Sequence, residues 1–260
     1  MQRIGSRDNG LIKRARAICR SPRECRKTRE TLLDGPHLVA AALAAGVPLK
    51  AVLVADEALA SDEIGALAAR VSGCCHVVAD ELMKSISPVN TPTGIVALID
   101  IPVPATPSID GDLLVLDGIQ DAGNVGTILR TAAAAGLRQA ILTPGCAQAW
   151  SPKVMRAAMG AHFVLSIVDQ AMPAAVLDGY RGAIAATLPG EGSRSLFDCD
   201  LRGDVAWLFG AEGAGLTPAL AARADLRIRI PMAPVVESLN VSSAAAICLF
   251  EQRRQRWGGA

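Results

Sequence analysis

The sequence predicts an α/β protein in two parts, a small α/β domain over residues 1–100 and a larger domain over 112–260 built on a mostly parallel sheet, joined by a linker at 101–111. Three observations predict it. Short apolar runs alternate with longer segments of helical periodicity along nearly the whole chain. The proline-rich stretch IPVPATPSIDG at 101–111 interrupts that alternation, because proline continues neither a helix nor a central strand. The length of 260 residues, 51% of them hydrophobic, suffices for two separate cores.

The chain opens on a strongly basic segment. Ten Lys or Arg stand in the first thirty residues against Asp8, Glu24 and Glu30, a local net charge of +7 in a chain whose overall charge is +1. A basic N-terminal helix is expected here, and such a block attracts polyanions through release of their condensed counterions; a solvated helix face is the plain alternative. Strand-like and helix-like runs then alternate: TLLDG and PHLVAAALAAG, KAVLVAD and SDEIGALAARVSG, CHVVAD and ELMKSIS, and finally TGIVALID. Beyond the linker the alternation restarts with LLVLDGI, a strand, and NVGTILRTAAAAG, a helix that Gly136 is suited to end in a left-handed cap. QAILTPG, SPKVMRAAMGA, VLSIVD, MPAAVLDGY, AIAATLPG, DVAWLFG, TPALAARA, RIRIPM and SSAAAICLFEQRRQR follow as strands and helices in turn. Repeated strand-helix units of this size imply parallel strands with helices on both faces.

Several classes are disfavoured. Mean hydropathy is +0.32, but charges break the apolar runs well short of the roughly 20 residues that span a bilayer. The first segment lacks the apolar centre and small-residue cleavage site of a signal peptide, so a cytoplasmic protein is expected. The seven cysteines form no C-x-x-C pair and read as free thiols. His37, His76 and His162 lie at no ligand spacing, so no metal is expected.

In open parallel sheets, ligands bind beyond the carboxyl ends of the strands, and three strand-exit loops stand out. In DGIQDAGNVGTILRT, glycines flank Asn124, and Arg130 follows on the opening helix, whose N-terminus suits an anion. Asn124 could equally cap that helix. In LFGAEGAGLTP, Gly210, Gly213 and Gly215 surround Glu212 in a spacing that departs from the dinucleotide fingerprint. In IRIPMAPVVESLNVSSAAAI, Ser238, Leu239 and Asn240 precede a helix that either polar residue could cap.

Together these loops resemble, in the same order and across residues 113–256, the three motifs of the SpoU family of RNA ribose 2′-O-methyltransferases within the knotted SPOUT superfamily. The resemblance implies that Asn124, Arg130, Glu212, Ser238 and Asn240 are the catalytic set. It implies a seat for S-adenosyl-L-methionine at Leu208, Gly210, Ile230, Met232, Ser238 and Leu239, with a further wall at Thr187, Leu188 and Pro189. It also implies a deep trefoil knot, with the final helix tucked through an earlier loop, and a homodimer. The first half is similar to the ribosomal-protein-like RNA-binding domain that many SpoU proteins place before the catalytic domain, with TLLDG where a glutamate-glycine is usual. RNA contacts are expected from Arg7, Lys13, Arg14, Arg26, Lys27, Arg29 and Arg130.

The implied reaction is methylation of a ribose 2′-hydroxyl in structured RNA. The extra N-terminal domain favours 23S-type ribosomal RNA; transfer RNA, or a catalytically silent RNA-binding ribosome-assembly factor, are the alternatives. A guanidinium is seldom neutral, so Arg130 is expected to hold phosphate and the 2′-oxygen while a phosphate oxygen or Glu212 takes the proton.

Overall fold

The computed structural model describes residues 1–188, 190 and 192–257. The chain runs β1 (Gln2–Ile4), α1 (Gly10–Arg20), α2 (Pro22–Thr28), β2 (Glu30–Asp34), α3 (Pro36–Ala44), β3 (Leu49–Ala55), α4 (Asp62–Arg70), β4 (Cys75–Val78), α5 (Asp80–Ile86) and β5 (Ile95–Asp100). It continues β6 (Leu113–Asp117), α6 (Ala122–Ala135), β7 (Gln139–Leu142), α7 (Pro152–Ala158), β8 (Ser166–Asp169), α8 (Ala174–Asp178) and β9 (Ala183–Thr187). It ends β10 (Arg194–Ser195), β11 (Val205–Gly210), α9 (Pro218–Ala221), β12 (Leu226–Arg229) and α10 (Val241–Trp257).

Two compact units result. The first comprises Met1–Val103 with Trp150–Phe163, and the second comprises Pro104–Ala149 with Val164–Ala260. Residues 150–163, which the sequence puts inside one continuous stretch from 112, thus cluster with the first unit. The contacts explain why: the Thr31 hydroxyl donates to the Trp150 carbonyl at 2.6 Å, and Arg156 reaches the buried carboxylate of Asp34 at 2.6 Å.

The first unit is a five-stranded mixed sheet ordered β1-β4-β3-β5-β2, in which β5 runs antiparallel to both its neighbours. Ile12, Ala15 and Ile18, spaced three apart along α1, bury one helical stripe beside Leu82, Met83 and Ile86 of α5 and the sheet residues Leu32, Leu53, Val96 and Leu98. The single basic helix expected at the start is replaced by a short strand and two helices. Pro22 is the cause: the residue before a proline is pushed out of helical geometry, and Ser21 sits extended at φ −138° and ψ 110°.

The second unit holds seven strands ordered β10-β12-β9-β11-β6-β7-β8, every pair parallel. Its central strands are covered on both faces, which is why they read as continuous apolar runs: Leu113–Asp117 is buried throughout. Gly136 ends α6 at φ 103°, the expected left-handed cap. The last helix, α10, lies along α6 and is tied down by polar contacts. Gln252, 2% exposed, accepts the Trp207 indole N–H at 2.7 Å and donates to Asp112 at 2.9 Å, while Arg253 donates to the Ala135 carbonyl at 3.0 Å. All seven cysteines are free, and burial pushes the Cys25 thiol up to about 11 and Cys248 up to about 12. Among the described residues no helix is long and apolar enough to cross a membrane.

Candidate active site

The strand order fixes where a ligand can go. β6 and β11 are neighbours, yet the chain leaves β6 toward β7 on one side and β11 toward β12 on the other. A crevice opens beyond the carboxyl ends of strands where connections diverge in this way. The loop after β6 leads into α6, and the loop after β11 carries Glu212.

Asp121, not Asn124, caps α6: its Oδ1 accepts the Asn124 N–H at 2.7 Å. The sequence carried a signal for this cap, an aspartate three residues ahead of a helix position. With the cap supplied upstream, the Asn124 side chain is free to face Glu212, and its Nδ2 donates to Glu212 Oε1 at 2.7 Å.

Asn240 does cap its helix, but its amide does more. Oδ1 accepts from the N–H groups of Ser242 at 2.9 Å and Ser243 at 3.4 Å and from the Ser242 hydroxyl at 2.5 Å. An amide whose oxygen is committed to the helix must turn its NH2 outward. That group donates to Glu212 Oε1 at 2.9 Å and to Asn124 Oδ1 at 3.0 Å. The three side chains therefore form a closed hydrogen-bonded ring, in which one carboxylate oxygen accepts from two amides. The N-termini of α6 and α10 both begin here, and their partial positive charge favours the carboxylate.

The loop bearing Glu212 folds back on itself. Ala211 and Gly215 exchange backbone hydrogen bonds at 3.0 and 2.8 Å. A Cβ on Gly210 would lie 2.2 Å from the Gly215 carbonyl carbon, so only glycine fits at the strand end.

The other expected site residues are placed unevenly. Arg130 is exposed on α6, and its guanidinium makes no hydrogen bond or ion pair among the described residues. Ser238 is exposed in the loop after β12 and stands outside the ring. Thr187 closes β9 opposite Ile228, Leu188 donates its N–H to the Ile228 carbonyl at 3.0 Å, and Gly210 closes β11 opposite Asp117. Ile230 follows β12 directly, so these backbones share the carboxyl edge of one sheet. Met232 and Leu239 are exposed apolar side chains in the following loop, at 43% and 36%. Main-chain donors and acceptors beside apolar side chains suit an adenosine moiety, so these residues fit S-adenosylmethionine. Leu208 is wholly buried in the core, so no part of its side chain is open to a ligand. Pro189 lies outside the described residues.

Of the basic residues, Arg7, Lys13, Arg26 and Lys27 are exposed, with Lys13 near Asp8 at 2.9 Å and Lys27 near Glu24 at 3.8 Å. Arg14 is committed elsewhere: it pairs with Glu30, a fully buried carboxylate that Lys50 also reaches. Arg29 bonds the carbonyls of Ile101 and Pro102 at 3.3 and 3.4 Å. Arg20 and Arg23, not singled out from sequence, are also exposed.

Known proteins similar to this chain place it in a family. Residues 112–250 match the SpoU rRNA Methylase family. The chain belongs to that family. Residues 9–97 match the MRM3-like substrate binding domain. The chain is 30% identical over 257 residues to the 23S rRNA (guanosine(2553)-2'-O)-methyltransferase RlmP of Bacillus subtilis, covering 97% of this chain and 100% of that one. Among solved structures it resembles an RNA 2'-O ribose methyltransferase with a TM-score of 0.84 at 31% identity, covering 98% of this chain and 100% of that one. The SpoU methyltransferase AviRb of Streptomyces viridochromogenes in complex with AdoMet superposes with a TM-score of 0.85 at 26% identity, over 97% and 100% of the two chains. This SpoU member is thus an α/β enzyme that methylates RNA ribose 2′-hydroxyls with S-adenosylmethionine as cofactor.

Asn240→Asp keeps the helix cap but replaces the outward NH2 with an oxygen facing Glu212. Methyl transfer is expected to fall by about tenfold or more through misplacement of the ring, with the melting temperature little changed; full activity in a folded variant would count against the ring.

Proposed function

We propose that this enzyme methylates a ribose 2′-hydroxyl in 23S-type ribosomal RNA, with the Asn124–Glu212–Asn240 ring organising the reacting groups and Arg130 gripping the RNA. The observation that carries the catalytic part is the ring itself at the divergence of β6 and β11. The substrate rests on the matched substrate-binding domain and on relatives named for 23S rRNA.

S-adenosylmethionine supplies an electrophilic methyl group on a positively charged sulfur. The chain's own residues have three tasks. The backbones at Thr187, Leu188, Gly210, Ile230 and Leu239, with Met232 and Ser238 beside them, line the adenosine seat. Arg130, always charged and free of protein partners among the described residues, takes a phosphate in a bidentate grip and sets the 2′-oxygen beside it. Glu212 Oε1 is saturated by two amide donors, which leaves Oε2 as the acceptor open to a ribose proton. A phosphate oxygen of the RNA held by Arg130 shares that task.

The exposed cations Arg7, Lys13, Arg26 and Lys27, joined by Arg20 and Arg23, form the RNA-binding face of the first unit, with Arg14 and Arg29 contributing charge from fixed positions. A homodimer is supported by Ile247 and Phe250, spaced three apart on α10 and 37% and 46% exposed, an apolar stripe that suits a second copy. Light scattering of the purified chain reads its mass; a monomer at working concentration would refute the dimer. The trefoil knot is supported by membership of the SpoU family, with α10, which Gln252 ties to Trp207 and Asp112, as the tucked segment. A cytoplasmic location is supported by seven free thiols and is tested by cell fractionation, with recovery in an oxidising compartment as the contrary result.

Mapping ribose methylation across total RNA from cells with and without the protein tests the substrate. Loss of one 23S-type site is expected; loss only in transfer RNA, or no loss, overturns it. Arg130→Lys is expected to lower turnover by about tenfold or more, because an ammonium cannot keep a planar two-point grip; near wild-type turnover contradicts that role.

Deleting residues 1–30 would remove Ile12, Ala15, Ile18 and Cys25 from the core, so neutralisation is the better test of the basic face. Changing Lys13, Arg20, Arg26 and Lys27 to Gln is expected to weaken RNA binding and flatten the log K against log salt slope by about 0.7 to 0.9 per lost phosphate contact, with cofactor affinity unchanged. An unaltered slope returns these residues to an ordinary solvated surface.

A further inference from the structure

We infer that Asp117 is a positioning residue for methyl transfer, its buried carboxylate holding the Glu212 loop in register with the loop that leads to Asn124. The inference rests on the role proposed above for Glu212. Asp117 ends β6 and is 4% exposed, a place where a carboxylate is costly unless fully hydrogen-bonded. Its two oxygens are used on different segments. Oδ2 accepts the Thr217 N–H at 2.7 Å, and Oδ1 accepts the Thr143 hydroxyl at 2.8 Å. The Thr143 oxygen in turn accepts the Gly118 N–H at 3.1 Å. One side chain thereby ties together the exits of β6, β7 and β11.

The consequence falls on Glu212. The loop from 211 to 217 is anchored at its start by Gly210, which stands opposite Asp117 in the ladder, and at its end by the Thr217 N–H on the Asp117 carboxylate. Between these anchors, the Ala211–Gly215 bonds make the loop one folded piece. If the Thr217 anchor is released, the piece can tilt about Gly210, and Glu212 Oε1 moves away from two amides that hold it at 2.7 and 2.9 Å. Asp117 makes no hydrogen bond to any member of the ring, so its influence passes through the backbone of this loop.

A negative charge is not required for this role. In Asp117→Asn, Oδ1 still accepts from Thr217 and Nδ2 donates to the Thr143 oxygen, whose own hydrogen turns to the Pro144 carbonyl already 3.4 Å away. Asp117→Ala loses both contacts. The test uses the full chain with total RNA from cells lacking the protein as methyl acceptor, and reads kcat, the KM for S-adenosylmethionine and the melting temperature. Asp117→Ala is expected to lower kcat by about a hundredfold, as displacements of about 1 Å can, with the cofactor KM within about threefold. Asp117→Asn is expected to restore kcat to within about threefold of the parent. On a Glu212→Gln background, Asp117→Ala is expected to cost about twofold or less, because two residues acting through one group are not additive.

Equal losses in the Asn and Ala variants, or losses that multiply with Glu212→Gln, would overturn the positioning role. Full activity of Glu212→Gln alone would instead overturn the proposed part of Glu212, and is recognised separately. Should Asp117→Ala not fold, Thr217→Pro serves in its place: Thr217 has φ −59°, which proline adopts, and the change replaces the N–H that Asp117 accepts with the ring Cδ, while the lost hydroxyl made no cap hydrogen bond. The same dependence on Glu212 is expected of it, and additive losses there overturn the inference equally.

Discussion

β6 and β11 run side by side in parallel while their connections depart in opposite directions, and the proposed active site depends on that divergence. Were the two strands followed by loops on the same side, helices would fill the space beyond them. Because they are not, the first turn of α6 and the folded loop after β11 meet across an open edge, near the N-terminus of α10. Residues separated by 88 and 116 positions in the chain become hydrogen-bonded partners. The fold supplies three chain segments, each contributing one polar side chain, and the sheet register sets their spacing.

The chemistry of the ring follows from how few donors a neutral amide has. Asn240 must satisfy the helix beneath it with its oxygen, so only its nitrogen is left for the cleft. Asn124 lies within the first turn of α6, and Asp121 relieves it of capping duty. A carboxylate facing two such amides is held without a basic side chain, and among the described residues Arg130 forms no ion pair with it. A guanidinium locked onto Glu212 would offer RNA neither its charge nor its geometry. In the proposed mechanism, neutral amides thus leave the acid and the arginine as separate tools.

Much of this was legible in the sequence, and the boundary has physical causes. Glycines around Glu212 announced a tight loop because only glycine permits the approach at Gly210. Strand and helix order was legible from periodicity, and Gly136 from its position at a helix end. Strand order was not, because pairing between distant strands leaves no local mark. The clustering of residues 150–163 with the first unit depends on two contacts, Thr31 to Trp150 and Arg156 to Asp34, that no spacing reveals. Ser21 is the reverse case: its break before Pro22 was written plainly in the sequence, and the strong charge pattern across it suggested one helix where there are two.

The basic segment shows the same limit from the side of electrostatics. Ten cations near the N-terminus look equivalent on paper, yet burial of one acid divides them. Glu30 is fully covered, and leaving its charge unpaired would be far more costly than breaking any surface pair, so Arg14 and Lys50 are held to it. Lys13 and Lys27 face acids that remain solvated, in pairs worth little in water, and they can leave those partners for phosphate. What makes a cation available for RNA is therefore the exposure of its acidic neighbour. Arg130, with no acidic neighbour bonded to it among the described residues, is the limiting case, and it stands about one and two-thirds helix turns beyond Asn124 on the helix that opens the proposed site.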